Sequence, residues 1–229
     1  MSVRNGIVVA IDGPSGSGKS TISRRVAAAR GLGYLDTGAM YRAAAWWCLH
    51  EGIDLADSPA VAATVAALPL QVGTDPAQPR VLVDGQDASV VIRSTEISTV
   101  VSAVATNVQV RPELIRRQRQ IIEDAAAGGG IIAEGRDITT VVAPDADVRI
   151  LLIADESARL ARRAQEVHGR TDASALAATR DQVVRRDSDD ATVAHFHEAA
   201  DGVITVDSTN LTLEQTVRVV QELVEAARA

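Results

Sequence analysis

At 229 residues, 46% of them hydrophobic, the chain can bury a full core in one domain, with or without an inserted lobe, and a disordered class is excluded. A net charge of −7 rules out the broadly basic face that non-specific nucleic-acid binding needs, so any phosphate site has to be locally arranged. The single cysteine, Cys48, leaves no disulfide framework and no cysteine-based zinc site, which suits a reducing compartment.

The continuous apolar, β-branched run Ile7-Val8-Val9-Ala10-Ile11 reads as a strand buried on both faces of a parallel sheet. It is too short for a signal-peptide core or a membrane span, so a cytoplasmic protein is expected. The run ends in Gly13-Pro14-Ser15-Gly16-Ser17-Gly18-Lys19-Ser20, which fits G-x-x-x-x-G-K-[ST] between a strand and a predicted helix over 19–30. In such a phosphate loop the glycines let backbone N–H groups turn inward around the β-phosphate, and the following helix adds the positive end of its dipole. Lys19 is expected to bridge the β- and γ-phosphates of ATP and Ser20 to ligate the accompanying Mg²⁺, with Thr21 closing the nucleotide-binding set. Lys19 is also the only lysine of the chain, in keeping with a site that needs a compact ammonium rather than a planar fork.

A short strand at Tyr34-Leu35 and a helix over 39–50 follow. The alternation then breaks between 68 and 94, where strands over 69–72, 80–83 and around Val90 are separated by proline-rich and Asp-Gly turn signals. A small antiparallel insertion and then a helix over 95–106 are expected. Beyond it come a helix over 111–127, a glycine loop at 128–130, strands over 131–133 and 148–153, helices over 156–168 and 173–187, a strand over 203–206 and a helix over 213–227. This order predicts an α/β fold whose five-stranded parallel sheet is flanked by helices.

A phosphate loop alone does not separate a kinase from a switch or a motor. The usual guanine-reading Asn-Lys-x-Asp motif needs a second lysine, and there is none. The runs Ile131–Glu134 and Ile150–Asp155 match the acidic strand of motor ATPases only loosely, which keeps an ATPase acting through a protein partner as an alternative. A monophosphate acceptor needs no strong base, because with a second pKa near 6 its own oxygen is already the nucleophile. Such a site should show arginines, and Arg42, Arg111, Arg136, Arg170, Arg185 and Arg186 fall beside predicted element ends or loops. Asp36 is a candidate for holding Mg²⁺ through water, while His50, His168, His195 and His197 lack metal-like spacing.

Four stretches together resemble the bacterial cytidylate kinases: residues 11–21, Leu35-Asp36-Thr37-Gly38-Ala39-Met40-Tyr41-Arg42, the segment from Ile92-Arg93 through Ser102 to Arg111 and Arg117-Gln118-Arg119, and Glu134-Gly135-Arg136-Asp137 with Thr140–Ala146. The similarity runs from about residue 6 to 153 and resumes at Arg185-Arg186-Asp187 and Val206–Thr209. The resemblance implies a P-loop nucleoside monophosphate kinase with core segments 1–67, 111–155 and 193–229, a nucleotide-monophosphate-binding lobe over 68–110 and a helical lid over 156–192. It implies transfer of the γ-phosphoryl of ATP to CMP or dCMP by a monomer that needs neither nucleic acid nor membrane, with a UMP/CMP kinase of broader specificity as an alternative. Positions matching Ser102, Arg111 and Asp137 read cytosine in that family; those matching Arg42 and Arg136 hold the acceptor phosphate, helped by Ser15. Thr37 and Tyr41 would shape the floor, Arg186 and Asp190 would meet ribose or phosphates, and Lys19, Arg136 and Arg186 form the implied catalytic set. The family usually carries one more lid arginine where Val193 stands, so Arg170, Arg180 or Arg185 would have to supply that charge.

Overall fold

The computed structural model describes residues 6–228. Strand β1 (Ile7–Asp12) is buried along its whole length because it lies at the centre of a parallel five-stranded sheet. Its neighbours are β6 (Gly130–Gly135) and β7 (Val148–Ile153), with β2 (Gly33–Asp36) outside β6 and β8 (Ile204–Asp207) outside β7. Alternate side chains of β1 serve opposite layers, as a two-residue period requires. Ile7, Val9 and Ile11 pack in the cluster shared with α1 (Lys19–Arg30) and α8 (Leu213–Ala226). Val8 and Ala10 pack in the cluster shared with α2 (Thr37–His50) and α5 (Arg111–Ala127).

The register brings the strand ends level: Asp12 pairs with Gly135 and Asp36 with Glu134. The phosphate loop after β1, the Arg136-Asp137 turn after β6 and the start of α2 after β2 therefore share one rim, the carboxyl edge where open α/β sheets bind ligands. Helix α2 begins at Thr37 rather than at 39, because the Asp36 carboxylate caps it by accepting the Ala39 N–H.

A second sheet, β3 (Leu70–Val72), β4 (Val81–Val83) and β5 (Gln86–Asp87), is antiparallel and packs with α2, α3 (Ser58–Ala66) and α4 (Thr95–Ala105) around a separate core cluster. The expected strand around Val90 is not there. Asp84 and Gly85, at φ 49° and 74°, make a tight two-residue turn with both central residues left-handed, so the return strand starts at Gln86 and pairing ends at Asp87. Val90 is 86% exposed and leads into a 3₁₀ turn at Val91–Arg93. Helix α3, capped by Asp57 and carrying a proline in its first turn, was not expected from the sequence, nor was a π-helical turn at Ile138–Val142. On the other side of the rim, α6 (Glu156–His168) and α7 (Ala173–Asp190) pack against each other, α7 running three residues past its expected end. No described helix is long and apolar enough to cross a membrane.

Candidate active site

A cavity of about 730 Å³ opens on the rim, lined by the phosphate loop from Ser15 onward, by the ends of β2 and β6, and by α4, α6 and α7. Its volume is that of a small-molecule site. Gly13 and Pro14 stand behind the wall and serve through their carbonyls: Arg136 donates to Gly13 O at 2.8 Å and Lys19 Nζ to Pro14 O at 2.9 Å. Lys19 is buried beside a second cation. Burial above all, and then the Arg136 guanidinium, push its ammonium down to about 7, with Glu134, Asp187 and Asp12 pulling the other way.

Next to Lys19, the Ser20 hydroxyl donates to Glu134 Oε1 at 2.5 Å and the Tyr34 hydroxyl to the same oxygen at 2.9 Å. Burial, with Asp36 nearby, raises the Glu134 carboxyl above its ordinary range. A hydroxyl and a carboxylate side by side at a phosphate loop form the hard, oxygen-only donor set that suits Mg²⁺ carried in on a nucleotide. Asp36, the candidate nominated from sequence, is committed elsewhere: its Oδ2 accepts from Arg42 at 2.8 Å and Arg93 at 2.9 Å, and its Oδ1 from the Ala39 N–H. Although burial pushes it up, the two guanidiniums hold its carboxyl at about 2. Glu134, missed as a site residue, was visible as the acidic end of the loosely matching run Ile131–Glu134 and as the first residue of the Glu134-Gly135-Arg136-Asp137 stretch, with no role given to it.

Beyond the loop, arginines converge. Arg42, Arg136, Arg163 and Arg186 all line the cavity. Arg186 is lowered to about 10, by burial first and then by Arg136, with Arg42 and Arg163 adding to it and Asp190 opposing. Guanidiniums gathered in one cleft make it a place that favours an anion. Arg136 is held on several sides, by the Gly13 carbonyl, by Asp190 3.3 Å from its Nε, and by the Phe196 ring 5.0 Å beneath it. The Thr37 hydroxyl donates to the Glu134 carbonyl at 2.7 Å, tying α2 to β6 at the cavity floor.

At the far end Arg111 and Asp137 are hydrogen-bonded to each other. Burial raises the Asp137 carboxyl against the opposing effect of Arg111, and it lifts the neighbouring Tyr41 hydroxyl to about 12. Asp12, which the sequence did not single out, fixes this turn: its carboxylate accepts from the N–H groups of Ile138 at 2.9 Å and Thr139 at 2.7 Å and from the Thr139 hydroxyl at 2.6 Å. Burial pushes Asp12 to about 6 despite those bonds.

A family model described as cytidylate kinase matches residues 9–228. The chain belongs to the cytidylate kinase family. A relative named cytidylate kinase from Streptomyces griseus is 50% identical over 229 residues, covering 99% of this chain and 96% of its own length. One of the same name from Cutibacterium acnes is 50% identical over 219 residues, covering 95% and 96%. Among solved structures, a sugar kinase from Janibacter sp. HTCC2649 covers 96% of this chain and 95% of its own at 16% identity and a TM-score of 0.46.

For this member of the cytidylate kinase family, the residues nominated from sequence divide unevenly over the cavity. Ser15–Thr21, Asp36, Thr37, Tyr41, Arg42, Arg111, Arg136, Asp137, Arg186 and Asp190 line it. Ser102 does not: it is half-buried on α4, where Ser98, Val101 and Ala105 of the same helix form the lining. None of the three arginines offered in place of the family's lid residue reaches the cavity. Arg170 pairs with Asp172 and Arg180 with Glu156 at exposed positions, and Arg185 is exposed, while Arg186 next to it on α7 lines the cavity. Val193 itself lines the wall, and two arginines of α6, Arg162 and Arg163, line it as well. Arg162 donates to the Ser208 carbonyl at 2.7 Å and to its hydroxyl at 3.0 Å. An Arg-Arg pair on an amphipathic helix looks like a solvated face until the packing of α6 over the phosphate loop is known.

Proposed function

We propose that the protein transfers the γ-phosphoryl group of ATP to CMP or dCMP, giving ADP with CDP or dCDP. The observation that carries this is the adjacency, in one cavity, of a phosphate loop, a partly buried arginine cluster and the Arg111–Asp137 pair. The loop takes the donor, the cluster takes an acceptor dianion, and the pair lies where the acceptor's base would sit.

Lys19 and the loop amides of residues 16–20 hold the β- and γ-phosphates. Ser20 and Glu134 would hold the Mg²⁺ that accompanies ATP, which would supply charge to neutralise the phosphates. Arg42 and Arg136 position the acceptor phosphate, whose oxygen attacks phosphorus in line as the bond to the ADP oxygen breaks. Arg186, with Asp190 as its counter-ion, faces the oxygens on which charge spreads. No side chain removes a proton, because the acceptor oxygen is already ionised at neutral pH. On the base, Asp137 accepts from the exocyclic amine of cytosine while Arg111 donates to its carbonyl side. Ser102 joins that contact when the lobe over 68–110 and the lid over 156–192 close and exclude water. The same reading carries a monomer working in the cytoplasm on small molecules alone, without nucleic acid or membrane.

A coupled assay of ADP release with CMP, dCMP, UMP, AMP, GMP and dTMP tests this. Preference for CMP and dCMP is expected; equal use of UMP would favour the broader pyrimidine enzyme, and preference for a purine would remove the cytosine assignment.

A further inference from the structure

Two buried charges that line no part of the cavity grip the phosphate loop. The Ser15 N–H donates to Asp187 Oδ1 at 2.9 Å, and the Ser15 carbonyl accepts from Arg159 at 2.9 Å. Arg159 also donates to Asp187 Oδ2 at 2.5 Å, so one ion pair holds both polar ends of a single loop residue. Asp187 comes from α7 and Arg159 from α6. Gly16 completes the joint, since a Cβ there would lie 2.5 Å from the Arg159 carbonyl oxygen. Asp187 further accepts from Arg136 at 3.4 Å, the arginine that also holds the Gly13 carbonyl.

We infer that Asp187 and Arg159 are positioning residues that lock the apex of the phosphate loop to the first turn of α6 and the last turn of α7, leaving the chain between them to close, and aim Arg136 at the acceptor. The inference rests on the acceptor role proposed above for Arg136. Its chemistry follows from the donors. An N–H turned toward Asp187 is not aimed at a phosphate, so the nucleotide is cradled by the amides from Gly16 onward and by Lys19, and Asp187 stays in place when the site fills. A buried carboxylate that holds three donors gives the loop a fixed shape before any ligand arrives, so binding energy is not spent on ordering it. Because the same carboxylate touches Arg136, losing it should weaken the acceptor side in addition to loosening the loop that takes the donor.

Three measurements on the full chain test this. Asp187→Ala should lower kcat/KM for CMP about 10–100-fold, the loss expected for hydrogen bonds to a buried charge, and should weaken ADP binding by calorimetry by a smaller factor. Asp187→Asn keeps an acceptor for the Ser15 N–H and should lose less, and it serves if the alanine variant does not fold. Arg159→Ala should behave as Asp187→Ala does, and the double variant should be no worse than either single one, because the pair acts as a unit. Amide exchange at Ser15, read without any acceptor, should be slow in the wild type and fast in Asp187→Ala. Tighter ADP binding by Asp187→Ala would mean that the carboxylate competes with phosphate for the loop, and would overturn the inference. So would additive losses, or an unchanged kcat/KM. Wild-type protein that ignores CMP but keeps the Ser15 amide protected would instead count against the acceptor reading alone.

Discussion

Because Lys19 is the only lysine, its titration can be read from a single resonance. In the empty site, burial and the Arg136 guanidinium lower its ammonium from 10.5 to about 7. At pH 8, then, only about one molecule in ten carries charge on Lys19. Phosphate oxygens in contact with the ammonium restore the charged form, so nucleotide binding at pH 8 should be accompanied by proton uptake. The sign is fixed: a complex that binds more protons than its free components weakens as pH rises, here by a factor approaching tenfold per pH unit just above pH 8. In protein labelled at lysine Cε, the one side-chain signal should titrate near neutrality without ligand and stay charged past pH 9 with ADP bound. Calorimetry of ADP binding in buffers of different ionisation enthalpy should report the matching uptake. A ligand-free titration at the ordinary lysine value, or proton release on binding, would refute the reasoning that the empty loop holds a largely uncharged lysine.

Replacing Asp137 by alanine should raise KM and lower kcat for CMP, together about 100-fold or more because a buried partner of Arg111 is lost, while ADP affinity holds; an equal loss of ADP binding would make the residue structural. Glu134→Gln keeps an acceptor for Ser20 but removes charge, so saturation by Mg²⁺ should need a higher concentration at unchanged affinity for metal-free ADP, followed by calorimetry in each case. Gly16 sits at φ 76° against the Arg159 backbone, so Gly16→Ala should cost about 1–3 kcal/mol of stability, measured by denaturant unfolding. A cost near zero would mean that the loop and α6 part freely.

The parts of the fold legible in the sequence are those set by local pattern. The apolar run of β1, buried on both faces, could be nothing but a central strand, and the phosphate loop followed from its glycines and from the helix behind it. The third strand of the small sheet was misplaced because Asp84-Gly85 turns the chain in two residues, and a strand of two residues leaves no alternation to detect. Charge partners were harder, since they depend on what the fold brings together. Asp36 reads as a free acid beside a phosphate site until Arg93, 57 residues away in sequence, closes on it. Arg180 and Arg185 look as able to reach a phosphate as Arg186, and only the face that α7 turns inward separates them. Arg159 carries no motif and Asp187 stood only as the last residue of the Arg185-Arg186-Asp187 stretch with no role given to it, so their meaning lies in the loop they hold.

The most direct test of transfer to an acceptor follows phosphorus itself. With ATP, Mg²⁺ and CMP, ³¹P NMR should show the γ-phosphoryl signal lost from ATP reappearing in CDP, one for one, with no orthophosphate and no ATP loss when CMP is left out. Orthophosphate formed at the same rate with or without CMP would contradict the account and make the protein an ATPase.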